Sequence, residues 1–347
     1  MTRPSISTLS VIIIAVTLSC FAQMPSKTPL LDSRGKPLPF GVPAYHKPDV
    51  PLGTGPYKAI MSEPKELSAH VAYYPADIGK LASKKLPVVV WANGSCLYAG
   101  NRYRQYLTEI ASYGYLAIAG GPIGPVELEV GPQENPAVRA PGAPAPAPAA
   151  NPNTTTEPRV TTALLKEAVD WAVKKNGDAS SNFNNKLDLT HIVVMGHSCG
   201  GTLAIQEATQ DSRVSALGIW FSGVGLTRGN DPGVVEKIKM PVLIISGTEQ
   251  LDIAYGNARS TFERLNNTPV FYGWRDELAH IGTLGAANGG ELGVITVKWL
   301  EWQTRGNTEA AKMFKGANCA LCKDPAWHIQ KKKIDGVTTT RARDRNS

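Results

Sequence analysis

The segment HIVVMGHSCGG, residues 191–201, is the most informative part of this chain of 347 residues. Its first five residues are largely apolar, which is typical of a strand buried on both faces of a parallel sheet. The next five read Gly-x-Ser-x-Gly around Ser198, and helix-forming residues follow. A strand, a tight turn and a helix in this order are the context of a nucleophile elbow. The turn admits only small residues two positions before and after the serine, which accounts for Gly196 and Gly200.

Outward from this stretch, apolar runs of strand length alternate with segments of helical spacing. We predict strands at 71–74, 86–92, 115–119, 191–195, 214–221, 241–246 and 270–273. We predict helices at 102–113, 161–174, 200–209, 258–266 and 291–304. Continuous apolar strands separated by helices indicate an α/β fold, with a mostly parallel central sheet covered by helices on both faces.

The elbow makes Ser198 a candidate nucleophile, but a serine hydroxyl needs a general base, and the base needs an orienting carboxylate. Around such an elbow the three follow the chain order Ser, Asp/Glu, His. Only His280 and His328 follow Ser198 with room for an acid in between. His328 lies in a basic tail beyond the last predicted helix, so we predict His280 as the base. His197, inside the elbow, is interpreted as structural.

The predicted acid is Asp252, in the segment GTEQLDIAY directly after the strand at 241–246. It follows the serine by 252 − 198 = 54 residues and precedes the histidine by 280 − 252 = 28 residues. Each spacing fits one or two βα units. Glu249 and Asp276 are alternatives that the sequence leaves open.

A developing oxyanion requires hydrogen-bond donors. We predict the backbone N–H of Cys199, the residue after the nucleophile, as one donor, and the N–H of Ser95, in the loop at 93–96, as the other. Both donor segments carry a cysteine. We hypothesise that Cys96 and Cys199 form a disulfide and that Cys319 and Cys322 form a second one. A reduced, buried pair is the alternative.

Four aromatic side chains are expected near the carboxyl edge of the sheet, where ligands bind in open α/β folds. They are candidates for substrate binding, and packing in the core or at the rim is the competing interpretation. The four residues are Tyr98, Trp220, Tyr255 and Trp274.

The N-terminus has the pattern of an export signal. Arg3 precedes a largely apolar run at 9–18, and Ala22 offers a small residue for cleavage. The run is too short to span a bilayer, which takes ~20 apolar residues. We predict a signal peptide at 1–22, a mature chain of 347 − 22 = 325 residues that is secreted or periplasmic, and no membrane partner after cleavage. A lipid anchor on Cys20 is the alternative.

Composition divides the mature chain into three parts. We predict an extended Pro-rich lead-in at 23–66, an α/β domain at 67–305 with a Pro/Ala-rich loop at 132–157, and a C-terminal extension at 306–347. The extension contains a Cys-x-x-Cys motif and a basic end.

Composition also excludes several classes of protein. Hydrophobic residues make up 42% and charged residues 19%, which excludes a disordered chain. The net charge is +7, but residues 323–347 hold seven Lys/Arg and three Asp and supply +4 of it. We interpret this end as a solvated tail and predict no nucleic-acid partner. No HExxH motif, paired CxxC, P-loop or strand-linked GxGxxG is present, so no metal and no nucleotide cofactor is predicted.

Five segments together carry a resemblance to a known family. The segments NGSC, GHSCGG, GTEQLDIAY, AHIG and VKWLEWQTRGNTEAAKMF resemble exported serine α/β-hydrolases of the dienelactone hydrolase and cutinase-like polyesterase group, over about residues 68–322. The resemblance implies the α/β-hydrolase fold and ester hydrolysis without a cofactor, with Ser198, Asp252 and His280 as the triad. Dienelactone hydrolases proper use a cysteine nucleophile, whereas this chain has a serine.

We therefore expect an exported carboxylic ester hydrolase that acts through an acyl-enzyme on a small or polymeric ester. A serine peptidase or amidase on the same fold, and a non-catalytic binding protein that retains the fold, remain as alternatives. A complete Ser, Asp and His set in the expected order favours the esterase.

Overall fold

The structure, a computed structural model, describes residues 53–81, 84–124, 158–224 and 232–336. The predicted signal peptide at 1–22 and the Pro/Ala-rich loop at 132–157 lie outside these ranges, so both stay predictions.

Strands and helices alternate along most of the described chain. The strands are β1 (Ala59–Ser62), β2 (His70–Pro75), β3 (Leu86–Ala92), β4 (Leu116–Gly120), β5 (Leu187–His197), β6 (Val214–Trp220), β7 (Val242–Ser246), β8 (Val270–Arg275) and β9 (Trp327–Lys332). The α-helices are α1 (Arg104–Ser112), α2 (Thr162–Gly177), α3 (Cys199–Gln210), α4 (Tyr255–Arg264), α5 (Gly290–Arg305), α6 (Thr308–Ala311) and α7 (Ala320–Lys323). Every strand and helix predicted from the sequence is present, with ends that shift by a few residues.

Within the described ranges these strands form one nine-stranded sheet in the order β1-β2-β4-β3-β5-β6-β7-β8-β9. Neighbours from β4 to β8 are parallel, whereas β1 and β2 at one edge and β9 at the other add antiparallel pairs. The prediction of an α/β-hydrolase fold with a mostly parallel central sheet is confirmed.

The sheet is buried on both faces. Along β3, Val88 and Val90 pack into one core, while Val89 and Trp91 pack into the other, as the two-residue period of a strand requires. Residues of α2, α3 and α4 join the first core, and residues of α1 and α5 join the second. Because both faces are covered, a central strand needs apolar residues at every position, and this explains the continuous runs in the sequence.

Two segments join the sheet that the sequence did not predict to be strands. β1 lies inside the predicted lead-in at 23–66, and β9 lies inside the tail that we interpreted as solvated. The solvated interpretation is wrong for 327–332, because these residues pair antiparallel with β8 and Trp327 is buried. The sheet thus extends past both ends of the predicted domain at 67–305.

None of the helices in the described ranges combines the length and the apolar character needed to cross a membrane.

Candidate active site

The turn between β5 and α3 holds Ser198 in a strained conformation at the carboxyl edge of the sheet. Its φ and ψ are 53° and −122°, and its backbone N–H donates to the Trp220 carbonyl of β6 at 2.9 Å. A Cβ on Gly196 would lie 2.2 Å from the Gly200 carbonyl oxygen, and a Cβ on Gly200 would lie 2.1 Å from the Ala92 carbonyl oxygen. Both positions therefore require glycine, and the hydroxyl of Ser198 stands partly exposed above the sheet.

The loop after β8 brings His280 to this serine. The His280 Nε2 lies 2.8 Å from the Ser198 Oγ, and the His280 Nδ1 lies 2.6 Å from the Asp252 Oδ1. Since the carboxylate accepts, Nδ1 carries the proton, and the unprotonated Nε2 can accept the serine proton. The three residues predicted from the sequence are brought together, with the imidazole between the hydroxyl and the carboxylate.

Asp252 is fully buried, and its carboxylate is satisfied by backbone donors besides the histidine. Gly247 N–H donates to Oδ2 and Ala254 N–H donates to Oδ1, each at 2.9 Å. A buried carboxylate held by several donors has a fixed orientation. The loop after β7 thus presents the acid to His280 in one geometry.

The two alternative acids are placed elsewhere. Glu249 is exposed, and Asp276 accepts a hydrogen bond at 2.7 Å from Nε2 of His328, the other histidine that follows the elbow. Neither carboxylate contacts His280. The geometry therefore favours Asp252, as the chain order also does.

The loop after β3 carries the candidate oxyanion donor Ser95. Ser95 is exposed and takes a left-handed conformation, with φ 58° and ψ 13°. The Asn93 side chain, fully buried, anchors the loop by donating to the carbonyls of Leu97, Ala99 and Gly120 at 2.8, 2.9 and 3.1 Å. The sequence alone does not predict this anchoring role of Asn93.

The other candidate donor is Cys199 N–H, at the N-terminus of α3. The first N–H groups of a helix have no partner within it, so this group is available to a developing negative charge. The sulfur atoms of Cys96 and Cys199 lie at bonding distance, with Cα atoms 5.3 Å apart. This pairing ties the Ser95 loop to the elbow. Cys319 and Cys322 are also paired, with Cα atoms 4.9 Å apart.

The four aromatic candidates do not share one environment. Trp220 is fully buried and packs edge-on against Tyr106 of α1, so its predicted role at a substrate surface is corrected to core packing. Tyr98 is partly buried against the core under α2 to α4. Tyr255 and Trp274 are partly exposed and contact each other, with ring centroids 6.3 Å apart.

Close to the triad lie His197, interpreted above as structural, and Tyr103, for which the sequence alone predicts no role. Tyr103, just before α1, donates its hydroxyl proton to the Nδ1 of His197 at 2.8 Å, and the Nε2–H of His197 donates to the His280 carbonyl at 2.6 Å. Burial, and to a lesser degree the neighbouring His280, hold the pKa of His197 well below its ordinary value. The ring is therefore neutral. Tyr103 and His197 are 94 residues apart, and no local pattern connects them.

Residues 151–316 match a family model described as PETase, PET hydrolase-like. No curated protein matches the chain. The matched range includes the elbow, Asp252 and His280, and the expected resemblance to cutinase-like polyesterases is confirmed. Over residues 151–316 the chain is thus similar to the PET hydrolase-like family.

Proposed function

We propose that this protein is an exported serine esterase that cleaves carboxylic esters through an acyl-enzyme. One observation carries the proposal: a single imidazole, that of His280, lies 2.8 Å from the Ser198 hydroxyl and 2.6 Å from the Asp252 carboxylate. A binding protein would have no use for this arrangement. The family match supports a hydrolase that acts on esters.

In the first half of the reaction Ser198 Oγ attacks the ester carbonyl while His280 Nε2 takes the hydroxyl proton. The resulting imidazolium is stabilised by the buried Asp252 carboxylate. Backbone N–H groups of Ser95 and Cys199 donate to the carbonyl oxygen as it becomes negative. His280 then gives its proton to the leaving alcohol, and Ser198 is acylated.

In the second half a water molecule takes the place of the alcohol. His280 Nε2 accepts a proton from this water, which attacks the acyl carbonyl, and the same donors stabilise the second oxyanion. The carboxylic acid leaves and Ser198 regains its proton. The whole cycle uses groups of this chain and water.

A polymeric ester is our proposed substrate class, because the matched family is described as PET hydrolase-like. Ser198 is partly exposed at the rim of the sheet, which suits an attack on an extended chain. Release of acid from polyester nanoparticles, compared with turnover of p-nitrophenyl esters of increasing acyl length, tests the preference. If the rate on the polymer is far below the rate on every small ester, the proposal of a polymeric substrate is refuted, whereas the proposal of an esterase stands.

The mechanism is tested by Ser198→Ala and by a serine-directed phosphonate. The substitution should abolish ester turnover and leave the melting temperature nearly unchanged, and the phosphonate should add its mass to Ser198 alone. Ser215→Ala is the matched control, because this serine of β6 donates to the Ile192 carbonyl at 3.1 Å and takes no part in the triad. Retained turnover in Ser198→Ala would refute the mechanism.

Export is proposed on the N-terminal pattern and on the two cysteine pairs, which suit an oxidising compartment. The proposed mature chain begins at Gln23. Mass spectrometry of protein recovered from the medium and the periplasm would identify the first residue, and a chain that starts at Met1 inside the cell would contradict export.

A further inference from the structure

A buried ring lies beneath the triad, between the loop that carries Ser95 and the loop that carries His280. This ring belongs to His197, whose side chain is only 4% exposed. Its centroid is 5.0 Å from the His280 ring and 5.7 Å from the Phe221 ring. The proposed mechanism gives His197 no role, yet this side chain touches both loops.

The hydrogen bonds of His197 determine its tautomer. A carbonyl can only accept, so the contact between Nε2 and the His280 carbonyl at 2.6 Å requires Nε2 to carry the proton. In a neutral ring Nδ1 is then an acceptor, and the Tyr103 hydroxyl at 2.8 Å donates to it. His197 thus holds the backbone of the very residue whose side chain is the proposed base.

The Tyr103 hydroxyl continues the series of hydrogen bonds beyond His197. Its oxygen accepts from Nε of Arg102 at 3.4 Å, and its proton is directed at His197. Three groups are therefore linked in one direction: Tyr103 O–H, His197 Nε2–H and the His280 carbonyl.

Gly94 also shows how closely the loop rests on this pair. A Cβ on Gly94 would lie 2.2 Å from the His197 Nδ1 and 2.7 Å from the Tyr103 hydroxyl oxygen. Ser95, the proposed oxyanion donor, is the next residue. A shift of the His197 ring would therefore displace the donor loop as well as the base.

We propose that Tyr103 and His197 are positioning residues that set the distance between the oxyanion loop and the catalytic base, through the packing of Gly94 on both side chains and the linked hydrogen bonds from Tyr103 to the His280 carbonyl. The proposal rests on the proposed function, since it assigns a role within that same site. Hydrogen bonds that run in the same direction polarise one another, so each of these linked hydrogen bonds is stronger than it would be alone. Burial keeps His197 neutral, so its donor and its acceptor do not exchange roles as pH changes.

Three variants test the linked hydrogen bonds one at a time. Tyr103→Phe removes the hydroxyl and leaves His197 in place. His197→Leu removes both ring nitrogens, and His197→Gln restores an amide N–H that can reach the His280 carbonyl. Tyr106→Phe is the matched control, because Tyr106 is equally buried on α1 and loses a hydrogen bond of 2.8 Å to Thr296 Oγ1, away from the triad.

We expect the losses to appear in kcat for a p-nitrophenyl ester, with KM nearly unchanged, because misplaced groups weaken transition-state contacts. Losses of about tenfold in Tyr103→Phe and about 100-fold in His197→Leu would match misplacement by a fraction of an ångström to 1 Å. His197→Gln should recover most of the lost rate. Each rate is divided by the concentration of active sites, measured as the amount of protein that the phosphonate labels once its reaction is complete. Unfolded protein is not labelled and therefore does not lower the kcat value.

A merely structural role would give a different result. Tyr103→Phe would then match Tyr106→Phe in kcat per titrated site, and His197→Gln would be no better than His197→Leu. Either result overturns the proposal. Wild-type protein that neither turns over esters nor reacts with the phosphonate would instead refute the proposed function.

A measurement that needs no activity decides the positioning claim in that case also. The His280 Nδ1–H, hydrogen-bonded to Asp252 at 2.6 Å, should give a low-field proton resonance. We expect this resonance to shift or broaden in Tyr103→Phe and to stay in place in Tyr106→Phe. An unchanged resonance in both variants overturns the proposal.

Discussion

The Cα atoms of Cys96 and Cys199 lie 5.3 Å apart, although 103 residues separate them along the chain. One cysteine follows Ser95 directly, and the other follows Ser198 directly. A covalent link here joins the two segments that supply the proposed oxyanion donors. The disulfide should therefore stabilise the folded protein, because it closes a long loop. It should also affect catalysis, because it fixes the distance between the two donors.

The double variant Cys96→Ala/Cys199→Ala should lower the free energy of unfolding by about 2–5 kcal/mol, because the unfolded chain regains the freedom of a long loop. It should also lower kcat by about tenfold, since two donors that are free to separate stabilise the oxyanion less well. Urea unfolding and ester turnover measure the two effects.

The control for this prediction is Cys319→Ala/Cys322→Ala, whose sequence separation is only 3. In the loop-entropy model so short a loop contributes about 3 kcal/mol less than the long one. We expect a smaller loss of stability and an unchanged kcat. Equal losses in the two double variants would contradict the assignment of the first bridge to the donor segments.

Asp252→Asn should lower kcat by about 10³–10⁴-fold while the protein stays folded, because an amide can no longer hold the His280 Nδ1–H and favours the wrong tautomer. Turnover of a p-nitrophenyl ester measures the loss. Asp276→Asn is the control in the neighbouring loop, since Asp276 pairs with the exposed His328 near the surface and not with His280 among the described residues. If Asp276→Asn were the more damaging change, the acid would have been assigned to the wrong loop.

Much of the candidate site follows from local sequence. The elbow is predictable because a strained turn forces glycine at fixed offsets from Ser198. The base and the acid are predictable because chain order on this fold leaves few candidates. The geometry of the turn and the order of the triad residues along the chain can both be recognised in the sequence without knowing any distance between residues.

The parts that were missed depend on contacts across the fold. The hydrogen bond between Tyr103 and His197 joins the residue before α1 to the elbow, and only the packing of the fold brings these two residues together. β9 did carry a local signal, the alternation of Trp327 and Ile329 with polar residues, but its basic composition pointed to a solvated tail. An edge strand needs apolar residues on one side only, so composition is a poor guide to it.

Trp327→Ala should lower the free energy of unfolding by about 3–5 kcal/mol, because it leaves a large cavity beside β8. The indole is 5% exposed, and its Nε1–H donates to Glu291 Oε1 at 2.9 Å, a bond that is also lost. Gln330→Ala, an exposed position of the same strand, should change stability by no more than about 0.5 kcal/mol. Urea unfolding compares the two variants, and similar small effects would mean that β9 does not stabilise the sheet.

Glu207→Gln should stabilise the protein above neutral pH and have little effect in acid. The Glu207 side chain is 2% exposed on α3, and its Oε1 has no hydrogen-bond partner among the described residues. Burial, aided by the nearby charge of Asp211, raises the pKa of Glu207 from its ordinary 4.5 to about 7.

The sign of this effect follows from proton binding. Between about pH 4.5 and 7 the folded state keeps a proton on Glu207 that the unfolded state has lost, so stability falls as pH rises through this range. Above pH 7 Glu207 is ionised in both the folded and the unfolded state. The full free-energy cost of burying the ionised carboxylate, on the order of 1–3 kcal/mol, then lowers the stability of the folded state.

The glutamine variant avoids that cost, so its advantage over wild type in the free energy of unfolding should grow from pH 5 to pH 8 in urea unfolding. Glu167→Gln, at an exposed position of α2, is the control for removing a surface carboxyl. An advantage for Glu207→Gln that does not change with pH would mean that the buried carboxyl is not the source of the cost.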